Sequence, residues 1–276
     1  MNDRSRYYPG TVDSHAHLSL VHRKELDPDE VIAAATSGGM AYLIDVGVEP
    51  SDTEQRIERF GGAPVVAFTA GLHPTAVRAE DYEDQLTTLA SLLQADARSA
   101  APGDRTIVAV GELGLDFYWS TDTTDLQLDA LHRQWALAAE HDLPVIIHNR
   151  DSEHVMLAEL RRARPRGIMH CFSQGPDYCR ACLDVGMYVS FGGNLTYRKS
   201  EEIRAAARVV PDERLLVETD APYLSPQAVR GTANHPGHLG FTIEALAEIR
   251  GARPEEIAEL TAANASALFG LTRRAT

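Results

Sequence analysis

Lysine is nearly missing from this chain. Its 276 residues include Lys24 and Lys199 and no other, against 40 acidic side chains and a formal charge of −14. A field of that sign repels polyanions at long range and excludes a protein that coats duplex DNA. It leaves room for an enzyme that grips a few phosphates through metal ions and local arginines. Cysteine is scarce as well: three residues, an odd number, argue against a disulfide framework and for a reducing compartment. No stretch approaches the roughly 18 uninterrupted apolar residues of a membrane span. The opening MNDRSRYYPGT lacks the apolar core of a secretion signal. The expectation is a cytoplasmic protein with no membrane partner. No repeat, low-complexity tract or linker is visible, and 44% hydrophobic with 24% charged residues is ordinary globular composition.

What the sequence does contain is short apolar runs alternating with helical patterns. Strands are predicted near 11–18, 40–48, 64–72, 106–113, 144–149, 166–172, 187–192 and 214–220. Helices are clearest at 82–97 and 123–142; in the second, Leu126, Leu128, Leu131, Trp135 and Leu137 lie near one side. Two more close the chain, roughly 237–250 and 254–269, separated by Gly251 and Pro254. Eight strands each followed by a helix predict an α/β fold, a (β/α)8 TIM-type barrel forming a single domain over 1–276. A doubly wound open sheet is the alternative. No Gly-rich dinucleotide fingerprint follows any strand, since GELGLD at 111–116 lacks the required spacing. The alanine-rich piece at 95–101 is expected to be a surface connection.

Polar residues interrupt these runs at one end of each strand, the C-terminal end, where barrel enzymes place their chemistry. His15 and His17 share a side of strand one, with Asp13 placed to orient an imidazole. Glu112 is read as ending strand four, His148 strand five and His170 strand six, with Glu218 and Asp220 ending strand eight. Singly, each has a bland reading, such as a turn cap or a helix-start carboxylate. Jointly, so many buried polar groups without a cation would lack partners, which is expensive. Six ligands exceed the three that one tetrahedral catalytic zinc takes from protein. Two ions bridged by a carboxylate use the full set of His15, His17, Glu112, His148, His170 and Asp220. Neither lysine lies near strand four, so Glu112 is the natural bridge. A mixed imidazole and carboxylate set does not name the metal, and Mg2+, Mn2+ and Zn2+ all stay open.

The chain also carries, in order, VDSHAH at 12–17, GLHP at 71–74, GELGLDFYW at 111–119, PVIIHNRD at 144–151, HCFS at 170–173 and ETDAPYLSP at 218–226, closing on NASALFGL at 264–271. These motifs resemble the TatD family of metal-dependent deoxyribonucleases, a branch of the amidohydrolase-like barrels, along the whole length. The resemblance implies a (β/α)8 barrel with one ion on His15, His17, Glu112 and Asp220 and the other on Glu112, His148 and His170. It also implies cleavage of DNA from a 3′ end, single strands preferred. Three departures stand out: Gln174 where the family usually has glycine, Ser152 where it has alanine, and Asn234-His235-Pro236 where Asn-Glu-Pro is common.

The reaction expected is hydrolysis of a phosphodiester by hydroxide generated between two divalent ions, with Asp220 as general base. Single-stranded DNA ends or another phosphodiester are the expected substrate. The same cage would also suit an ester or amide hydrolase, D-aminoacyl-tRNA deacylation included; a metal-stabilised scaffold is the non-enzymatic alternative. His73 is placed as a phosphate contact or proton donor, with a structural role as the plain alternative. Arg150 is placed as a phosphate clamp, against an ion pair to Asp116 or Glu218. Glu218 reads as support for a ligand. Tyr118 and Trp119 either stack on a nucleobase or cover the barrel end. Cys179 and Cys182 are read as small core residues, and His22, His132, His141, His154 and His238 receive no role. Nothing resembles a coiled coil, and a monomer is expected.

Overall fold

A computed structural model describes residues 4–99, 105–119 and 122–272. Eight strands lie in one sheet in chain order: β1 (Val12–Ala16), β2 (Tyr42–Asp45), β3 (Val66–Ala70), β4 (Ile107–Asp116), β5 (Val145–Arg150), β6 (Gly167–Met169), β7 (Tyr188–Phe191) and β8 (Leu215–Val217). Every neighbouring pair is parallel, which requires a crossover between strands. Helices supply it, among them Pro28–Ser37, Tyr82–Ser99, Thr124–Glu140 and Glu201–Val209. The ring closes just past β8, where Asp220 N–H donates to the His15 carbonyl (2.9 Å) and His17 N–H to that of Ala221 (2.7 Å). The order and closure are those of a (β/α)8 barrel, and the open sheet is excluded.

The strands form because their apolar residues have two surfaces to cover. Toward the helices, Leu43, Phe68, Ile107, Leu113, Ile147 and Val189 meet Leu89, Leu131, Trp135 and Leu160 in one large core. A second cluster gathers Val12, Ile44, Ala67, Val108, Ile146, Ile168 and Leu216 around Leu268 and Phe269 of the closing helix Pro254–Phe269. That helix begins with proline at its first turn and ends at Gly270 in a left-handed conformation, as a helix start and stop demand.

Two expectations change. The alanine-rich piece is no connection through residue 99: helix Tyr82–Ser99 runs through it, as alanine's helix preference favours, and residues 100 and 101 lie outside the described residues. Glu112 also does not end strand four. β4 continues four residues further, pairing Gly114 with His148, Leu115 with Asn149 and Asp116 with Arg150. The glycines permit this approach: a Cβ on Gly114 would lie 2.0 Å from the His148 carbonyl oxygen.

Candidate metal centre

β1 delivers His15, and His17 follows it directly. The Nδ1–H of His17 donates to the Val46 carbonyl (2.9 Å), because a carbonyl can only accept. That leaves a lone pair on its Nε2. This Nε2 lies 3.2 Å from His15 Nε2, 3.8 Å from Glu112 Oε2 and 3.5 Å from Asp220 Oδ1. His15 Nε2 is in turn 3.5 Å from Glu112 Oε2 and 3.8 Å from Asp220 Oδ1. Four donors around one tetrahedral ion would sit about 3.4 Å apart. Burial, reinforced by His170, lowers His15 to about 3, so it stays neutral and able to offer a lone pair.

The other oxygen of Glu112 faces a separate set. Oε1 is 2.8 Å from His148 Nδ1 and 2.9 Å from His170 Nε2. The far nitrogen of each ring is held by a carboxylate: His148 Nε2 by Asp116 Oδ2 (3.0 Å), His170 Nδ1 by Glu218 Oε1 (3.1 Å). With those N–H groups spent, the nitrogens that meet Glu112 carry lone pairs, so acceptor faces acceptor in a buried place. Only a proton or a cation reconciles them. The titration directions express the same demand. Burial pushes His170 down, but Glu112 and Glu218 outweigh it and hold it well above the ordinary imidazole range. Burial likewise opposes ionisation of Glu112, and His170, His73 and His15 overcome it to hold its carboxyl well below the usual range. The donor set therefore fits divalent ions.

His73 differs from these four histidines. Its Nδ1 accepts from the Thr75 backbone N–H (3.1 Å), so in the neutral ring Nε2 carries the proton and points it at Glu112 Oε1, 3.4 Å away. It is a donor at the rim of the cage. Asp13 does not orient an imidazole: it accepts from the Thr219 and His15 backbone N–H groups and ties β1 to the segment after β8. Glu218 does support a histidine, and it also accepts from Cys171 N–H (2.7 Å). Asp220 adopts the left-handed region (φ 56°), which breaks the strand alternation assumed for positions 218 and 220. Asn234 braces its loop, donating to the Thr219 and Tyr223 carbonyls, both at 2.7 Å.

Arg150 makes neither of the ion pairs, to Asp116 or Glu218, weighed against the phosphate clamp; its guanidinium carbon lies 3.6 Å from the centre of the Tyr118 ring. Tyr118 and Trp119 are exposed, just beyond the end of β4. Cys179 and Cys182 are buried, with thiols pushed up to about 12 by burial, as core residues should be. Sequence reasoning missed Asp116 as the holder of His148. The available signal was spacing: Asp116 lies four residues beyond Glu112, on the same side if the strand continues. It also missed Gln127 and Gln134, buried and seven residues apart on helix Thr124–Glu140. Each clasps both backbone groups of one residue, Asp116 and Leu72 respectively, and so fixes the segments bearing Asp116 and His73.

A parallel barrel with histidine and carboxylate clusters at the C-terminal ends of its strands defines the class, a metal-dependent hydrolase. The TatD-related DNase family model matches residues 12–270, and the chain belongs to that family. It is 33% identical over 260 residues to YabD of Bacillus subtilis, named an uncharacterized metal-dependent hydrolase, covering 93% of this chain and 98% of that one. It is 32% identical to the 3'-5' ssDNA/RNA exonuclease TatD of Salmonella typhimurium, over 88% of this chain and 93% of that one. The crystal structure of the TatD homologue YJJV from Escherichia coli superposes with a TM-score of 0.84 at 26% identity, covering 95% and 98%. Among the described residues no helix is long and apolar enough to cross a membrane.

Proposed function

We propose that this chain is a phosphodiester hydrolase that removes nucleotides from the 3′ end of single-stranded nucleic acid. The observation that carries it is Glu112, whose two oxygens face two separate sets of imidazoles. His15, His17, Glu112 and Asp220 would hold one divalent ion, and Glu112, His148 and His170 a second. Divalent ions in such a cage supply Lewis acidity, lowering the pKa of water toward about 7 and offsetting charge that develops on a phosphoryl oxygen. The chain's own groups do the rest. Asp220, facing His15 and His17 through Oδ1, takes the proton from the attacking water and returns it to the leaving oxygen. His73 presents an Nε2–H donor to a phosphate oxygen beside Glu112. Arg150 presents its guanidinium at the rim, where among the described residues no salt bridge to a carboxylate engages it. The exonuclease name of the Salmonella relative supports the substrate class.

The test is metal-stripped protein given single-stranded DNA labelled at the 3′ or 5′ end, with Mg2+, Mn2+ or Zn2+ restored in turn. Early release of 3′ label as nucleotides is expected. Asp220→Asn, which keeps the size of the side chain and one oxygen, should fold normally and lose activity by about 100-fold or more. No cleavage with any ion, in protein carrying two ions per chain, would sink the nuclease reading. D-aminoacyl-tRNA, as an ester substrate, would then be tried.

A further inference from the structure

Among the described residues the exposed large hydrophobic side chains are Tyr118, Trp119 and Tyr223. They are not scattered. Tyr118 and Trp119 come one and two residues past Phe117, which follows β4, and Tyr223 lies 6.1 Å, ring to ring, from His17, so all three stand at the mouth of the cage. Grouping exposed aromatics at one place, on a surface that otherwise hides them, marks a place where something apolar and flat is meant to arrive.

The support beneath the first two is built rather than loose. Asp116 Oδ1 accepts from the Tyr118 N–H (3.0 Å), while its other oxygen holds His148. Phe117 N–H donates to the Arg150 carbonyl (2.9 Å), which pins the segment to the end of β5. Arg150 then lies over the Tyr118 ring, and Trp119 meets that ring edge-on with centroids 4.9 Å apart. Cation and rings form one cluster, and Trp119 remains 72% exposed. Arg150 follows His148 by two residues, about 6.6 Å along the strand.

We propose that Tyr118, Trp119 and Arg150 form a stacking subsite for an unpaired nucleobase next to the phosphodiester held in the cage. The inference rests on the phosphodiesterase reading above and adds how the strand is selected. Every base offers a π-face, so such a subsite is indifferent to sequence. Bases inside a duplex have both faces covered by their neighbours, so the subsite selects single strands without any groove contact. The positive charge of Arg150 sits under the ring, where it strengthens a cation–π stack and answers the phosphate that accompanies each base.

The chain has two tryptophans, and the other, Trp135, is buried (6% exposed) on helix Thr124–Glu140, so emission changes on adding a strand report Trp119. Metal-loaded protein is titrated with a phosphorothioate thymidine oligonucleotide and with a strand of equal length lacking its bases. The base-bearing strand should quench emission and bind at least about tenfold more tightly than the abasic one. Trp119→Phe should abolish the quenching. Tyr118→Ala should remove the preference for bases, Tyr118→Phe should keep it, and abasic affinity should not change in either. Equal affinity for the two strands, or an unaltered preference in Tyr118→Ala and Trp119→Ala, overturns the subsite while leaving the phosphodiesterase reading in place. If neither strand binds, both fall.

Discussion

At the scale of single residues, the site is arranged by what lies behind three of its imidazoles. Val46, Asp116 and Glu218 each take one N–H, which decides the nitrogen that His17, His148 and His170 turn to the cage. Such partners commonly change metal affinity 10- to 100-fold. Asp116→Ala is therefore expected to leave the first proposed ion bound and weaken the second by about 10- to 100-fold, read as a split in calorimetric Mn2+ or Zn2+ titrations. Equal affinity at both positions in the variant would deny Asp116 that role. The candidate ligands were legible in the sequence because histidines and carboxylates stood where apolar strands end, and strand ends converge in a barrel. Their tautomers were not legible. A tautomer depends on a partner brought by another strand, as Glu218 is brought to His170, and on rotamers that spacing does not specify. The departure of His73 from the other four histidines turns on one backbone N–H, that of Thr75.

At the scale of elements, β4 reaches further than its apolar run. Its eight-residue reading stopped at 113, short of Gly114, and local pattern cannot reveal that Gly111 and Gly114 are both demanded by a neighbouring strand. The structure shows why they are there: β5 passes so close that no Cβ fits at Gly114. Gly114→Ala should push β4 off β5 at His148, costing about 1–3 kcal/mol of stability by urea unfolding and lowering affinity for the second proposed ion. A variant as stable as the wild type would show that the strands have room to spare. The other strands were readable because a β-branched and aliphatic run with helix on both sides has few alternatives. The glutamines of helix Thr124–Glu140 were not, since a polar residue on a helix gives no sign that it will be buried against a backbone amide.

For the molecule as a whole, acid resistance is set partly outside the cage. His235 and His238 are buried with ring centroids 3.9 Å apart, and Asn234 accepts from His238 while it braces the loop of Asp220. Burial lowers His235 to about 4; burial, with His235 beside it, lowers His238 to about 3. Both are neutral in the folded chain and gain a proton on unfolding, near the ordinary value of 6.5. Stability is thus whole above about pH 6.5 and declines as pH falls from there toward 4, by up to about 1.4 kcal/mol per pH unit for each ring. In metal-free protein, the His235→Gln/His238→Gln double variant should show a shallower decline between pH 7 and 5 in denaturant titrations; an identical slope would remove the pair from the account. The closure of the barrel has a different consequence, one of timing. His15 and His17 leave the ribosome early in synthesis, but the carboxylate that meets them stands at 220, and the bond from Thr219 to Asp13 spans 206 positions. A nascent chain therefore cannot assemble this constellation until residue 220 has been made. A chain broken off before residue 220 would lack the carboxylate altogether, so the finished cage certifies that translation passed that point.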